Sequence, residues 1–164
     1  MERIIHPIPP IYNGESRILI LGSFPSVKSR EGEFFYHHPR NRFWNVISTV
    51  FGEDTPQTIS DKKEFLIRNK VAVWDVIQSC EISGSSDSSI KNVVPNDLSI
   101  ILDKADIKRI YTNGNAAHTY YQKYILPVIQ RECIKLPSTS PANAASQTKQ
   151  LIEIWSCILD SYSC

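Results

Sequence analysis

The sequence has no long hydrophobic run and almost no net charge. Its 164 residues include 18 Lys and Arg against 17 Asp and Glu, a formal charge of +1. No apolar stretch approaches the roughly 20 residues that span a bilayer, and the first residues lack the apolar core of a signal peptide. The sequence therefore predicts a cytoplasmic protein without membrane segments.

Cysteine is scarce and scattered. The four cysteines are widely separated, and the sequence contains neither a C-x-x-C pair nor a His doublet placed to complete a zinc site. We expect structural or incidental thiols and no metal or iron–sulfur cluster. The cysteines are Cys80, Cys133, Cys157 and Cys164.

Several common functional motifs are also missing. There is no P-loop, no dinucleotide-binding G-x-G-x-x-G and no G-x-S-x-G nucleophile elbow. The near-neutral charge removes the simplest sign of a nucleic-acid-binding domain, but a local basic face is compatible with it.

Four short apolar runs predict strands that are buried on both faces. They are residues 17–22, 71–74, 107–112 and 133–136. Apolar residues at intervals of three and four predict helices at 41–52, 115–126 and 143–159, with weaker candidates at 61–69 and 96–105. This alternation favours one domain over residues 1–164, a three-layer α/β/α fold with a central, mainly parallel four-stranded sheet.

Three loops interrupt this pattern. Residues 23–40 and 137–142 leave the carboxyl ends of predicted strands, where ligands bind in open parallel sheets. Residues 80–95 are rich in serine, and we expect a mobile loop there. The first and third loops are therefore the candidate sites.

Residues 34–44 bring aromatic, imidazole, guanidinium and amide groups together. Such a set suits a planar heterocycle, which needs a stacking face and donors and acceptors for its edge. A structural interpretation is also open: Asn41 is suited to cap the following helix, Tyr36 to pack at the rim, and His37 and His38 to a solvated turn.

The other loops leave similar alternatives. GSFP at 22–25 is either a strand-to-loop turn or a close backbone approach to a ligand, and the hydroxyl-rich 138–143 segment is either a capped loop or a phosphate contact. Asp75 and Asp87 fit a cap or surface position better than a general base.

Three motifs together resemble the uracil-DNA glycosylase superfamily: GSFP at 22–25, YHHPRNRFW at 36–44 and LPSTSPAN at 136–143. The second is similar to the H-P-x-N-R-F-W stretch of mismatch-specific uracil and thymine glycosylases. All three are similar to motifs of the DNA-deoxyinosine (hypoxanthine-DNA) glycosylase branch, in the same order along most of the chain.

The resemblance implies roles for particular residues. Asn41 corresponds to the asparagine implicated in catalysis in the deoxyinosine branch, and Tyr36 lies where relatives stack an aromatic ring on the extruded base. The 137–143 loop lies where relatives contact phosphate and wedge into the gap. One departure is Phe24, where mismatch-specific relatives carry the asparagine that positions the hydrolytic water. The four-cysteine pattern of cluster-bearing branches is also missing.

The resulting hypothesis is a monofunctional, cofactor-free DNA glycosylase that hydrolyses the N-glycosidic bond of a deaminated base, first hypoxanthine and second uracil, in base excision repair. We expect a monomer acting on DNA in the cytoplasm, at the nucleoid if the source is prokaryotic. No lyase step is expected, because neither Lys28 nor Lys91 has an apolar setting. The assigned residues are Asn41 and His38 for catalysis, Ser23, Phe24 and Tyr36 for the base, and Ser138, Thr139, Ser140, Pro141, Arg40 and Arg42 for DNA.

Two rivals remain at this stage. A non-catalytic module of the same fold would bind damaged DNA or a free nucleobase, and Phe24 favours it because a polar side chain is lost there. A small-molecule N-glycosidase would instead release the base from free inosine.

Overall fold

The four apolar runs form one parallel sheet in the computed structural model, which describes residues 2–162. The strands follow one another in the order β3-β2-β6-β7, and every residue of β2 and β3 is buried. In chain order the strands of the protein are β1 (Glu2–Ile5), β2 (Ile18–Gly22), β3 (Val71–Asp75), β4 (Ile77–Ile82), β5 (Lys91–Pro95), β6 (Arg109–Asn113) and β7 (Ile134–Leu136).

Helices flank this sheet and confirm the α/β/α class. Helix α2 packs on α7, α3 packs on β3, and α5 packs on β2 and β6. Their bounds are α1 (Val27–Gly32), α2 (Phe43–Val50), α3 (Ile59–Arg68), α4 (Ser99–Leu102), α5 (Asn115–Tyr120), α6 (Leu126–Ile129) and α7 (Thr148–Trp155). None of the helices within residues 2–162 is long and apolar enough to cross a membrane.

A second sheet was not predicted. Strands β1, β4 and β5 pair antiparallel in the order β1-β4-β5, so most of the expected serine-rich loop at 80–95 belongs to two strands and the turn between them. The prediction of a loop was wrong because β5 is largely exposed and shows no regular alternation of buried residues. This small sheet brings the N-terminal segment close to the carboxyl ends of the parallel strands.

Two helix boundaries differ from the predictions. Pro127 does not end its helix: a π-helical turn at Tyr121–Ile125 precedes it, and Pro127 lies in the first turn of α6, where a missing N–H costs little. The last helix begins at Thr148 rather than at 143, with a capping box between Gln147 and Gln150. The 137–147 segment is therefore a longer loop than expected.

Aromatic side chains anchor the 23–40 loop to the core. Phe34 and Phe35 are buried, and Phe34 stacks on Trp44 with ring centroids 5.8 Å apart. Phe43 meets Trp155 of α7 edge to face at 5.9 Å. Burying side chains of this size stabilises a fold by roughly 1.5–3 kcal/mol each, so the loop has a fixed base from which its polar residues project.

Candidate active site

A cavity of about 340 Å³ lies beyond the carboxyl ends of β2, β3 and β6. The sequence pointed to this edge of the sheet, because both candidate loops leave it. The structure brings most of the predicted site residues to its wall: Ser23, Phe24, Tyr36, His38, Asn41, Ser138, Thr139, Ser140 and Pro141.

Asn41 is held in the wall by two hydrogen bonds to its side-chain oxygen. Oδ1 accepts the backbone N–H of Phe43 at 2.9 Å and the hydroxyl of Thr139 at 2.9 Å. A backbone N–H can only donate, which identifies the accepting atom as the oxygen. Both lone pairs of Oδ1 are used, so Nδ2 is the group that can donate to a ligand.

Thr139 connects this asparagine to the parallel sheet. Thr139 is fully buried, its hydroxyl accepts from Asn113 Nδ2 at 3.0 Å, and its backbone N–H donates to Asn113 Oδ1 at 3.0 Å. Asn113 is the last residue of β6, so the sheet fixes Thr139 and Thr139 fixes Asn41.

The hydrogen bond from the Phe43 N–H to Asn41 shows that Asn41 partly fulfils the predicted role of a helix cap. Arg42 occupies the cap position of α2 and makes no side-chain capping bond, while Asn41 satisfies the N–H of the first helical residue. One amide thus supports the helix start through its oxygen and lines the cavity.

Tyr36 has an uncommon backbone and a buried hydroxyl. Its φ is +51°, in the left-handed region, and its ring stacks on Phe43 with centroids 4.0 Å apart and planes 17° apart. The hydroxyl lies near the Asn113 side chain but makes no well-formed hydrogen bond within residues 2–162. Burial, together with the nearby charge of Asp75, raises the pKa of Tyr36 far above its usual value, so the phenol stays protonated.

The two adjacent histidines have different surroundings. His38 lines the cavity, and its Nδ1 accepts the backbone N–H of Arg40 at 3.0 Å, so its remaining nitrogen, Nε2, is the one that can donate. The imidazole of His37 instead lies against Gly32 of α1. His38 is the one that can act in the cavity.

The turn at 22–25 presents backbone rather than side-chain groups. The ring of Phe24 is buried, with the guanidinium of Arg30 placed 5.7 Å from its centroid. The Ser23 hydroxyl donates to Asp87 at 2.9 Å. The backbone N–H of Phe24 makes no hydrogen bond inside the described part of the chain and is available to a ligand.

The basic residues near the first loop fall into two groups. Arg42 donates to the carbonyls of Ser146 at 2.6 Å and Asn143 at 2.9 Å, and so braces the 137–147 loop. Arg30 similarly donates to the carbonyls of Pro25 and Gly84. Lys28 is exposed and pairs with Glu31 on α1, whereas Arg40 is exposed and remains for contacts outside the protein.

The 138–143 loop is ordered by its own hydroxyls. Ser138 Oγ accepts from the backbone of Ser140 at 3.1 Å, and Ser140 Oγ accepts from that of Ala142 at 3.1 Å. Pro141 and Ala142 are exposed at the rim. A stiff loop with a small apolar tip therefore stands at the edge of the cavity.

Asp75 lies in this cavity and corrects the expectation of a cap or surface position. It is 4% exposed, and its Oδ2 is 2.7 Å from Nε2 of His6. The sequence carried one usable signal, because Asp75 follows a buried apolar run at the same sheet edge as Gly22. His6 carried none, since it directly follows a mostly exposed strand, β1.

Thiols and carboxylates elsewhere form no evident metal centre. Within residues 2–162, no three His, Cys, Asp or Glu side chains are grouped so that they could hold a metal ion. Cys80, Cys133 and Cys157 are free thiols, and Cys164 lies outside the described residues.

Comparisons with known proteins place the chain in one family. The family model of the uracil DNA glycosylase superfamily matches residues 9–158. A protein of Methanosarcina barkeri named hypoxanthine DNA glycosylase is 36% identical over 141 residues, which cover 84% of this chain and 87% of the relative. A protein of the same name from Methanosarcina acetivorans is 33% identical over 137 residues, covering 82% and 85%.

A solved structure is similar over nearly the whole chain. It is the solution NMR structure of a candidate uracil DNA glycosylase from Methanosarcina acetivorans, with a TM-score of 0.82 and 29% identity, covering 98% of this chain and 100% of that one. Sequence and fold agree, and the chain belongs to the uracil DNA glycosylase superfamily.

Proposed function

We propose that this protein is a monofunctional DNA glycosylase that hydrolyses the N-glycosidic bond of a deaminated base, first hypoxanthine and second uracil. The observation that carries the proposal is the Asn41 amide, fixed through Oδ1 in the wall of the cavity with Nδ2 left to donate. The names of the two curated relatives support hypoxanthine as the preferred base.

The cavity requires an extruded nucleotide. A base inside a duplex is inaccessible, so it must leave the stack at a cost of a few kcal/mol, which is smallest for a poorly paired base such as inosine. The exposed Pro141 tip would fill the gap, while Tyr36 and the free N–H of Phe24 would contact the base.

The chemistry is a hydrolysis. The bond between C1′ and the base nitrogen breaks with its electron pair going to the base, and a water oxygen forms the new bond to C1′. One proton of that water is released, and the base takes up a proton to leave as the neutral free base. An abasic sugar remains in the DNA.

Donors directed at the departing base lower the barrier as charge moves onto it. Asn41 Nδ2 and His38 Nε2 are two side-chain donors in this wall that we assign to the departing base. Because Oδ1 of Asn41 already accepts two hydrogen bonds, we assign Asn41 to the base rather than to the attacking water.

DNA contacts follow from the exposed groups. Arg40 is free to pair with phosphate, and the hydroxyls of Ser138 and Ser140 line the cavity beside the exposed Pro141. Arg42 supports DNA binding by holding the 137–147 loop. We propose a monomer that works in the cytoplasm, where a prokaryotic chromosome lies.

An excision assay tests the function. Labelled duplexes containing inosine, uracil, a thymine mismatch or no lesion are incubated with the protein and cleaved with alkali at abasic sites. We expect strand breaks with inosine and fewer with uracil. Binding without abasic sites on any duplex would favour a non-catalytic module, and release of base from free inosine would favour a nucleoside hydrolase.

Asn41→Asp isolates the proposed donor. Aspartate keeps an oxygen for Phe43 and Thr139 but replaces the donating nitrogen, so we expect base release to fall by roughly 100-fold or more while the fold is kept. Asn45→Asp, exposed on α2 outside the cavity, is the matched control. A rate within about tenfold of wild type would reject Asn41 as the donor.

A further inference from the structure

His6 and Asp75 form a buried pair whose protonation can be read from its hydrogen bonds. The two side chains are 2% and 6% exposed, and His6 Nε2 lies 2.7 Å from Asp75 Oδ2. His6 Nδ1 accepts the backbone N–H of Ile8 at 3.1 Å, so that nitrogen carries no proton. Nε2 must then be the protonated nitrogen, and it donates to the carboxylate.

A third residue holds the backbone of the pair. Asn96 is buried, and its Nδ2 donates to the carbonyl of Asp75 at 2.9 Å. His6 of the N-terminal segment therefore holds the side chain of Asp75, and Asn96, directly after β5, holds its main chain.

The other carboxylate oxygen faces the floor of the cavity. Oδ1 of Asp75 would lie 2.3 Å from a Cβ on Gly22, and the Tyr36 hydroxyl 3.3 Å from the same point. Oδ1 has no hydrogen-bond donor within residues 2–162, and the buried Tyr36 hydroxyl is also without a partner there. Both groups therefore border the space that Gly22, by lacking a Cβ, leaves open at the cavity floor.

We propose that Asp75 Oδ1, oriented by His6, accepts a hydrogen bond from the ring N–H of a lactam base and thereby selects such bases. The inference rests on the proposed function and adds one contact by which bases are distinguished: guanine and thymine also carry such an N–H, so the contact excludes adenine and cytosine. Hypoxanthine offers N1–H and uracil offers N3–H. Adenine and cytosine carry a lone pair and no hydrogen at the corresponding ring nitrogen, which would oppose the carboxylate.

We assign Asp75 to recognition of the base and not to stabilisation of the departing base. A carboxylate beside the base opposes negative charge on it, so this group does not stabilise a departing anion. Asp75 instead discriminates between bases: a base without the ring N–H leaves the buried carboxylate without a hydrogen-bond donor. Enzymes that bind substrates in this way reject analogues that lack the hydrogen-bonding group. His6 is a positioning residue, because it acts through Asp75.

The experiment compares inosine with 1-methylinosine in otherwise identical duplexes, because the methyl group removes the N1 hydrogen. For wild type we expect single-turnover base release to be at least 100-fold faster from inosine. In Asp75→Ala, which also makes room for the methyl group, that ratio should fall below tenfold. Asp103→Ala, an exposed carboxylate at the end of α4, is the matched control and should keep the wild-type ratio.

Two variants of His6 test its role through Asp75. Glutamine can still donate to the carboxylate from its Nε2, and leucine cannot. We expect His6→Gln to keep most of the discrimination and His6→Leu to lose it. Equal ratios in the two variants would reject His6 as the residue that orients Asp75.

The outcomes separate this inference from the proposed function. A wild-type protein that releases no base from any duplex rejects the function itself. An active wild type, with the ratio unchanged in Asp75→Ala, rejects only the role of Asp75. If Asp75→Ala does not fold, free hypoxanthine and free 1-methylhypoxanthine are compared as inhibitors of wild type, and equal inhibition overturns the inference.

Discussion

The hydroxyl of Thr139 donates to Oδ1 of Asn41 at 2.9 Å, across 98 positions of the sequence. This bond joins the two loops that were separate candidates in the sequence. Thr139 is in turn hydrogen-bonded to Asn113 at the end of β6. The parallel sheet therefore fixes the position of Asn41, whose Nδ2 is the proposed donor. Preorganised donors of this kind need no rearrangement as charge develops.

Thr139→Val should test that bond. Valine keeps the shape of threonine but leaves Asn113 Nδ2 and Asn41 Oδ1 each short of one partner in a buried setting. We expect a loss of about 1–3 kcal/mol in the free energy of unfolding and slower base release. Thermal melts and single-turnover rates measure both, and Thr139→Ser, which retains the hydroxyl, should stay near wild type.

Gly22→Ala should obstruct the cavity floor. The new Cβ would lie 2.3 Å from Asp75 Oδ1, so the carboxylate must move and its bond to His6 must distort. We expect base release to fall by more than tenfold. In Gly14→Ala the nearest atom to the new Cβ is 3.6 Å away, and this control should behave as wild type. Equal rates of base release for Gly22→Ala and Gly14→Ala would contradict the assignment of Gly22 to the cavity floor.

Tyr36→Phe should separate stability from activity. Since the Tyr36 hydroxyl has no partner within the described residues, we expect its removal to leave the free energy of unfolding at pH 7 unchanged or higher, while base release decreases. Tyr121→Phe provides the contrast, because that hydroxyl donates to the carbonyl of Arg131 at 2.6 Å and its loss should cost about 1 kcal/mol.

Tyr36→Phe should also change how the stability of the protein depends on alkaline pH. Burial raises the pKa of Tyr36 in the folded protein above its unfolded value of about 10. The unfolded chain then loses a proton that the folded chain retains, so stability is intact below pH ~10 and declines as the pH rises further. Denaturant titrations at neutral and alkaline pH should show a smaller decline for Tyr36→Phe than for wild type.

Arg40 and Arg42 should differ when each is changed to glutamine. Arg40 is exposed, so if it pairs with a phosphate its loss should weaken DNA binding and reduce the log–log salt slope by about 0.9. Arg42→Gln removes the bonds to Ser146 and Asn143, and we expect faster proteolysis within the 137–147 loop. Fluorescence anisotropy across a salt series and limited proteolysis distinguish the two effects.

The parallel sheet was predictable because its strands are buried on both faces. The short apolar runs predicted at 17–22 and 71–74 are too short for buried helices and too apolar for surface loops, which leaves buried strands. The small antiparallel sheet was not predictable, since residues 91–95 are largely exposed and owe their conformation to pairing with β4. The last helix begins late because Arg42 holds the segment before it in an irregular form.

The candidate site was predictable as a set of residues but not as an arrangement. The motifs indicated Asn41, Tyr36 and the 137–143 loop, and Asn41, Tyr36 and residues 138–142 of that loop line one cavity. Pairings such as that between His6 and Asp75 join residues 69 positions apart, and no local pattern reports them. The role of each side chain depends on which of its atoms is already bonded, and only coordinates show that.

The position of His6 directly after the first strand also has a practical consequence. Residues 2–5 (β1) pair antiparallel with residues 79–82 of β4, and this pairing places the His6 imidazole beside Asp75 at the cavity. If Asp75 selects the base as proposed, we expect that trimming these residues, or fusing a bulky affinity handle directly to them, would reduce that selection. Purification handles belong at the opposite terminus.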